Sequence, residues 1–294
     1  MHPRFAKPFD TLSAPLKAAV QPMLDSADFN ARFTPEQVAT LKAATGLDDR
    51  ALRLALLPLA AACSVAPISK FYVGAIACGL SGSWYFGANM EFAGQGLFHS
   101  VHAEQSAISN AWLGGETGIS EITVNYTPCG HCRQFMNELS TAKILKVSLP
   151  DDLSALQSFL PHSFGPADLD ITDALMSPQD HAELELQSED QLWQAALAAA
   201  RQSYAPYSQG YAAVALLFAD GRIFSGRYAE NAAFNPSLPP MQMACAHAVL
   251  NGEDLATIRR AVLLENKNGQ ISQRDSAQST LKALGSVELE YQAV

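Results

Sequence analysis

Pro128-Cys129-Gly130-His131-Cys132, preceded along the chain by His102-Ala103-Glu104, is the stretch on which the reading of this sequence turns. A structural zinc site usually takes four protein ligands, whereas a catalytic one takes three and leaves a position for water. His102, Cys129 and Cys132 make three. Glu104 then stays uncoordinated, free to accept and return protons. Two thiolates and one neutral imidazole leave such a site formally neutral. A third thiolate would make it more negative and weaken its power to acidify a bound water. Residues two apart on a regular helix point roughly 200° apart. His102 and Glu104 can therefore share a site only if the metal lies off the N-terminal end of their helix. The sequence predicts a helix beginning there, from His102 to Leu113, stopped by Gly114-Gly115. It predicts a second from Gly130 to Leu139, just after a strand-like run from Ile122 to Tyr126. Both helix N-termini would then aim partial positive charge at the metal and its thiolates. His131, between the cysteines, reads as a supporting or packing residue.

Upstream, Thr34-Pro35-Glu36-Gln37 is a capping box with Pro at the first helical position, and Gly46 is its expected terminator. A helix over Asp49 to Ala62 is apolar on nearly all sides and is predicted to be buried. Phe71 to Cys78 and Ser83 to Gly87 read as a hairpin. Strands alternating with helices imply an α/β layered domain.

An internal repeat organises the rest. Ser64-Val65-Ala66-Pro67-Ile68-Ser69 is echoed by Ser203-Tyr204-Ala205-Pro206-Tyr207-Ser208. Each follows an alanine-rich helix and precedes an apolar strand. The same offset aligns Gly87 with Gly226 and Glu91 with Glu230. Allowing a small insertion, Cys245-Ala246-His247 is expected where His102-Ala103-Glu104 stands in the first copy. The second copy has no Pro-Cys-x-x-Cys. The expected division is a helical segment over 1–48, a catalytic domain over 49–150, a connector over 151–188 and a degenerate copy over 189–294. Pro161, Gly165, Pro166 and Pro178 punctuate the connector.

Composition narrows the partners. The chain has 294 residues, 29 acidic and 19 basic, for a net charge of -10. No run of Lys or Arg could neutralise a phosphate backbone, so nucleic acid is an unexpected partner and a small neutral substrate an expected one. The most apolar stretch, Ala51 to Val65, is interrupted by Arg53 and is shorter than the roughly 20 residues that span a bilayer. No signal-peptide pattern is visible at Met1-His2-Pro3-Arg4-Phe5, so the expectation is a cytoplasmic protein. Five cysteines, an odd number, argue against a disulfide framework. Cys129-Gly130-His131-Cys132 also has the letters of a thiol-disulfide oxidoreductase motif. Those proteins usually carry an aromatic residue before the first cysteine, where Pro128 stands here, and that reading leaves His102-Ala103-Glu104 unexplained.

The paired motifs resemble those of the cytidine deaminases. The resemblance covers essentially the whole chain and is closest to the dimeric branch, in which an active domain is followed by a degenerate copy. Gly87-Ala88-Asn89-Met90-Glu91 narrows it to enzymes acting on nucleosides. The resemblance implies a duplicated three-layer α/β/α fold with a central mixed sheet, preceded by a small helical segment. It implies one Zn2+ per chain, held by His102, Cys129 and Cys132, with Glu104 as proton shuttle. It also implies hydrolysis of cytidine and 2′-deoxycytidine to the uridines, with release of ammonia, in pyrimidine salvage. Asn89 and Glu91 would grip the ribose 3′-hydroxyl, a carboxylate there disfavouring a nearby 5′-phosphate. Phe71 would pack on the pyrimidine, and backbone groups around Ala103, Thr127 and Cys129 would read the base edge. A homodimer is implied, the second domain helping to wall the partner's active site. A polynucleotide cytosine deaminase, the other branch, would need a basic groove that the composition does not offer.

Overall fold

Two short helices open the chain, α1 (Ala6–Thr11) and α2 (Ala14–Asp25), followed by a two-residue strand, β1 (Arg32–Phe33). The computed structural model describes residues 1–285 and 287–294. The third helix, α3 (Pro35–Thr45), starts at the expected capping box. The Gln37 N–H donates to Thr34 Oγ1 at 3.3 Å, and the Gln37 side chain accepts from the Thr34 N–H at 2.9 Å. It ends at Gly46, whose φ of 69° is the left-handed conformation that glycine adopts at little cost. The next helix, α4 (Asp49–Ala61), is not buried all round as its composition suggests. It buries Leu52, Leu56, Leu57 and Leu59 and leaves Pro58 exposed, because only one side of it faces the sheet.

The first sheet contains the predicted hairpin as β2 (Gly74–Gly79) and β3 (Trp84–Ala88), joined by β4 (Ile119–Val124), β5 (Lys146–Ser148) and β6 (Leu153–Ala155). Its order is β1-β3-β2-β4-β5-β6, with β4 and β5 parallel and the other pairs antiparallel. The stretch read as a connector thus contributes an edge strand, β6, and a one-turn helix, α7 (Leu156–Phe159). Two further helices, α5 (Ala103–Leu113) and α6 (Gly130–Met136), belong to this copy. Side chains alternate across β2. Ala75 and Ala77 join the core that contains α5, whereas Ile76 and Cys78 join the core that contains α4. That alternation makes three layers.

The second copy repeats the plan. Its sheet, order β10-β9-β7-β8, uses β7 (Ala212–Phe218), β8 (Ile223–Arg227), β9 (Ile258–Glu265) and β10 (Leu289–Ala293), and only β9 and β10 are parallel. Ala213 and Ala215 face α8 (Gln191–Ala200), and Val214 and Leu216 face α9 (Pro240–Leu250); α10 (Arg274–Leu284) completes the unit. One buried cluster joins the two copies, running from Ala75, Ala107 and Ile122 to Val214, Ala244 and Leu263.

The repeat holds, but one correspondence is different. A Cβ on Gly87 would stand 2.1 Å from Ala107 N and 2.5 Å from Ala103 O, which is why helix α5 can lie against β3 only over a glycine. A Cβ on Gly226 would meet Ala244 N at 2.3 Å and Pro240 O at 2.4 Å. Ala103 therefore corresponds to Pro240, and the residues preceding the two helices, His102 and Pro239, correspond as well. Pro239-Pro240-Met241, not Cys245-Ala246-His247, occupies the place of His102-Ala103-Glu104. The latter triplet lies more than a turn further along α9, opposite Ile108-Ser109-Asn110. The preceding loop is shorter in the second copy, not longer: the bridge Met90–Val101 is matched by Ala229–Leu238. Similar letters had suggested an alignment that the strand bridges and the helix start do not allow.

Candidate metal centre

His102 immediately precedes α5 in extended conformation (φ -86°, ψ 155°), and Glu104 is the second residue of that helix. Cys129 precedes α6 in the same way (φ -71°, ψ 170°), and Cys132 lies in its first turn. The two helix starts converge. His102 Nδ1 lies 3.5 Å from Cys129 Sγ and 3.3 Å from Cys132 Sγ, and the two sulfurs are 3.7 Å apart. Among the described residues, these three are the one group of His, Cys, Asp or Glu spaced to hold a metal ion.

The spacing tests the metal. A tetrahedral zinc, with bonds of about 2.3 Å to sulfur and about 2.0 Å to nitrogen, separates its sulfurs by about 3.8 Å and sulfur from nitrogen by about 3.5 Å. The triangle fits without rearrangement. Proton affinities fit as well. Hydrogen bonding from Cys132, then from His102, holds the Cys129 thiol far below its ordinary value, to about 3. The Cys129 sulfur beside it, together with burial, pushes Cys132 up. The pair thus keeps one proton, which a metal would displace on binding. The His131 ring stacks on His102 (centroids 4.8 Å apart) and supplies no ligand atom to the group.

Glu104 is buried beside this triangle, and burial raises its carboxyl pKa. The residues in front enclose a cavity of about 460 Å³. It is lined by Phe71, Asn89, Glu91, His102, Ala103, Glu104 and Cys129, so the expected metal, catalytic and substrate residues, except buried Cys132, face one space. Asn89 and Glu91 are held rigidly. Asn89 accepts from the Val73 N–H at 2.9 Å and donates to Phe71 O at 2.9 Å. The Glu91 oxygen Oε2 accepts from the N–H groups of Ile68 (2.8 Å) and Ser69 (3.0 Å). Tyr126 is the lining residue that the sequence reading took only as a strand end. Its ring lies 4.5 Å from that of Phe71, tilted by 39°. An aromatic residue two positions before Pro128 was the available signal.

The second copy braces both helices. The buried Gln105 side chain accepts from the His102 N–H (3.2 Å) and donates to Pro236 O (3.0 Å). At the other end of α5, the buried Arg227 guanidinium lies 3.9 Å from the Trp112 ring centroid and donates to Trp112 O. A cation on carbonyls at a helix C-terminus is favourable. On α6, Asn231 donates to Gln134 O at 3.0 Å. Just beyond it, the fully buried Glu138 accepts from the Tyr204 hydroxyl (2.9 Å), the Tyr207 hydroxyl (2.5 Å) and the Ala232 N–H (3.0 Å).

Two family models, both described as "Cytidine and deoxycytidylate deaminase zinc-binding region", match residues 47–148 and 156–278. The chain is 92% identical over 294 residues to the cytidine deaminase of Aeromonas salmonicida, with 100% of each chain covered. It is 54% identical over 286 residues to that of Serratia proteamaculans, with 97% of each covered. Among solved structures, a cytidine deaminase from Mycobacterium tuberculosis is similar at 27% identity and a TM-score of 0.37, covering 40% of this chain and 99% of that one. One from Burkholderia pseudomallei is similar at 28% identity and a TM-score of 0.35, covering 40% and 100%.

Proposed function

The chain belongs to the cytidine deaminase family, and from that premise we propose that it hydrolyses cytidine and 2′-deoxycytidine to uridine and 2′-deoxyuridine, releasing ammonia, as a step of pyrimidine salvage. The observation that carries this reading is the zinc-sized triangle of His102, Cys129 and Cys132, with buried Glu104 beside it at the floor of a nucleoside-sized cavity. When bound, zinc supplies the Lewis acidity that makes water a competent nucleophile near neutral pH. Glu104 accepts one proton from the attacking water and delivers it to the ring nitrogen, then takes the second proton from the same oxygen and delivers it to the departing amine, which leaves as ammonia. Burial raises its pKa, the direction that favours a carboxyl that must hold a proton between taking it up and handing it on.

The remaining residues bind and orient. Phe71 and Tyr126 present aromatic surface to the base, and the backbone at Ala103 meets its polar edge. Asn89 and Glu91 take the 3′-hydroxyl. Their hydrogen bonds to the Ile68–Val73 loop fix them in advance, so little ordering accompanies binding. The active protein is a homodimer in the cytoplasm, each second copy helping to wall the partner's cavity. Leu97 and Phe98, 69% and 85% exposed beside the cavity, are apolar surface for that contact to cover. No helix among the described residues is long and apolar enough to cross a membrane.

An absorbance assay of the zinc-loaded protein tests the reading. Cytidine should be turned over, with activity lost to a chelator and restored by zinc, while cytidine 5′-monophosphate should be a poor substrate. Efficient use of the nucleotide would remove the role given to Glu91. Metal analysis should find about one zinc per chain, the number that three-ligand catalytic sites of this type imply.

A further inference from the structure

The second copy contains a cavity that the chemistry above leaves unused. It encloses about 380 Å³ and is lined by Tyr207, Ser208, Glu230, Phe234, Gln270 and Ile271. Its floor repeats the sugar-facing geometry of the first copy. Glu230 Oε2 accepts from the N–H groups of Tyr207 (2.8 Å) and Ser208 (3.1 Å), as Glu91 does from Ile68 and Ser69. Its other oxygen accepts from the Ser208 hydroxyl. Two aromatic rings stand at each mouth: Phe71 and Tyr126 in the first copy, Tyr207 and Phe234 edge-on at 6.4 Å in the second. Phe234 is 66% exposed within the chain. The reacting groups are missing. Met241 stands at the place of Glu104 and Pro239 at that of His102, and the one metal-spaced group among the described residues is in the first copy.

We propose that this cavity is a second, non-catalytic binding site for a neutral pyrimidine nucleoside. A sugar hydroxyl meets Glu230 and Ser208, the planar base lies against Phe234 and Tyr207, and the Gln270 amide offers both donor and acceptor to the base edge. The carboxylate disfavours a phosphorylated ligand, as Glu91 does in the first copy. The inference rests on the sugar-binding role proposed above for Glu91, because that role gives the repeated geometry its meaning.

The probe is uridine, the product, which is not consumed. Equilibrium dialysis of the zinc-loaded full chain should find two uridines bound per chain. Ile271→Trp fills the mouth beside the exposed ring and should reduce the number to one while cytidine turnover is retained. Glu91→Ala should also leave one, with turnover lost. One uridine per wild-type chain, unchanged by Ile271→Trp, would overturn the second site and leave the proposed reaction standing. Two uridines with full turnover in Glu91→Ala would remove the sugar role itself, and this inference with it.

Discussion

At Glu104, burial raises the proton affinity of the carboxyl, while a hydrogen bond from its own backbone, one with Cys132 and the adjacent His102 lower it, and burial wins. Replacing Glu104 with Gln keeps the shape and removes the exchangeable proton. Turnover should fall by about 10²–10⁴-fold, the range for losing a general acid/base, with zinc content by metal analysis unchanged. Loss of zinc together with turnover would make the residue structural instead. His247 gives a different prediction. Burial, then the Arg227 charge, pushes its pKa down to about 4, and a weak hydrogen bond to Ser225 O only partly opposes this. Between that value and the ordinary value of about 6.5, the unfolded chain holds a proton that the folded chain does not. Stability should therefore be fully present above about pH 6.5, fall as the pH drops toward 4, and level off below. The ring keeps some solvent contact, so the change should be on the order of 1 kcal/mol. Urea midpoints at pH 5 and 7.5 should differ in the wild type, and the difference should shrink in His247→Gln.

At the scale of elements, the two glycine contacts separate stability from chemistry. Gly226→Ala drives a methyl into the backbone of α9 and should cost about 1–3 kcal/mol in chemical denaturation. Gly87→Ala does the same to α5, the helix that begins at His102. It should release zinc to a chelator faster and lower turnover as well, whereas Gly226→Ala should show the stability loss with a much smaller change in zinc release. Equal zinc loss in both would contradict this division. These contacts also explain what could be read from the sequence. The Thr34–Gln37 box, the Gly46 stop and the two motifs holding His102, Cys129 and Cys132 are constraints of local chemistry, written in short runs of letters. The start of α9 is not. Pro239-Pro240-Met241 shares no letter with His102-Ala103-Glu104, and the equivalence is set by Gly226 and by the Ala229–Leu238 bridge, which are contacts across the fold. Tyr126 was missed for the same reason, since its partner Phe71 belongs to another loop. The α6 helix ends at Met136 rather than Leu139, and Glu138, just beyond that end, turns to the second copy.

At the scale of the whole molecule, Glu138 is the test of how the halves depend on each other. Glu138→Ala leaves the Tyr207 hydroxyl and the Ala232 N–H without this acceptor in a buried place, and the Tyr204 hydroxyl with only its longer bond to Asp173 O (3.4 Å), at a cost of about 2–4 kcal/mol. Because the contact lies just beyond the helix carrying Cys132, zinc should also leave faster, and Glu138→Gln, which keeps an acceptor, should recover part of both. A stability loss with unchanged zinc release would confine Glu138 to the fold. The loop from Asn231 to Pro236 touches both metal-bearing helices, at Gln134, Glu138 and Gln105. A duplication usually gives its spare copy freedom to drift. Here the two copies differ in what they hold: the metal-spaced group lies in the first, while the Asn231–Pro236 surface of the second props the helices that present it. Dependence of this kind runs one way. Because these helices rest on the second copy, removing that half would leave Gln105, Gln134 and Glu138 without these partners.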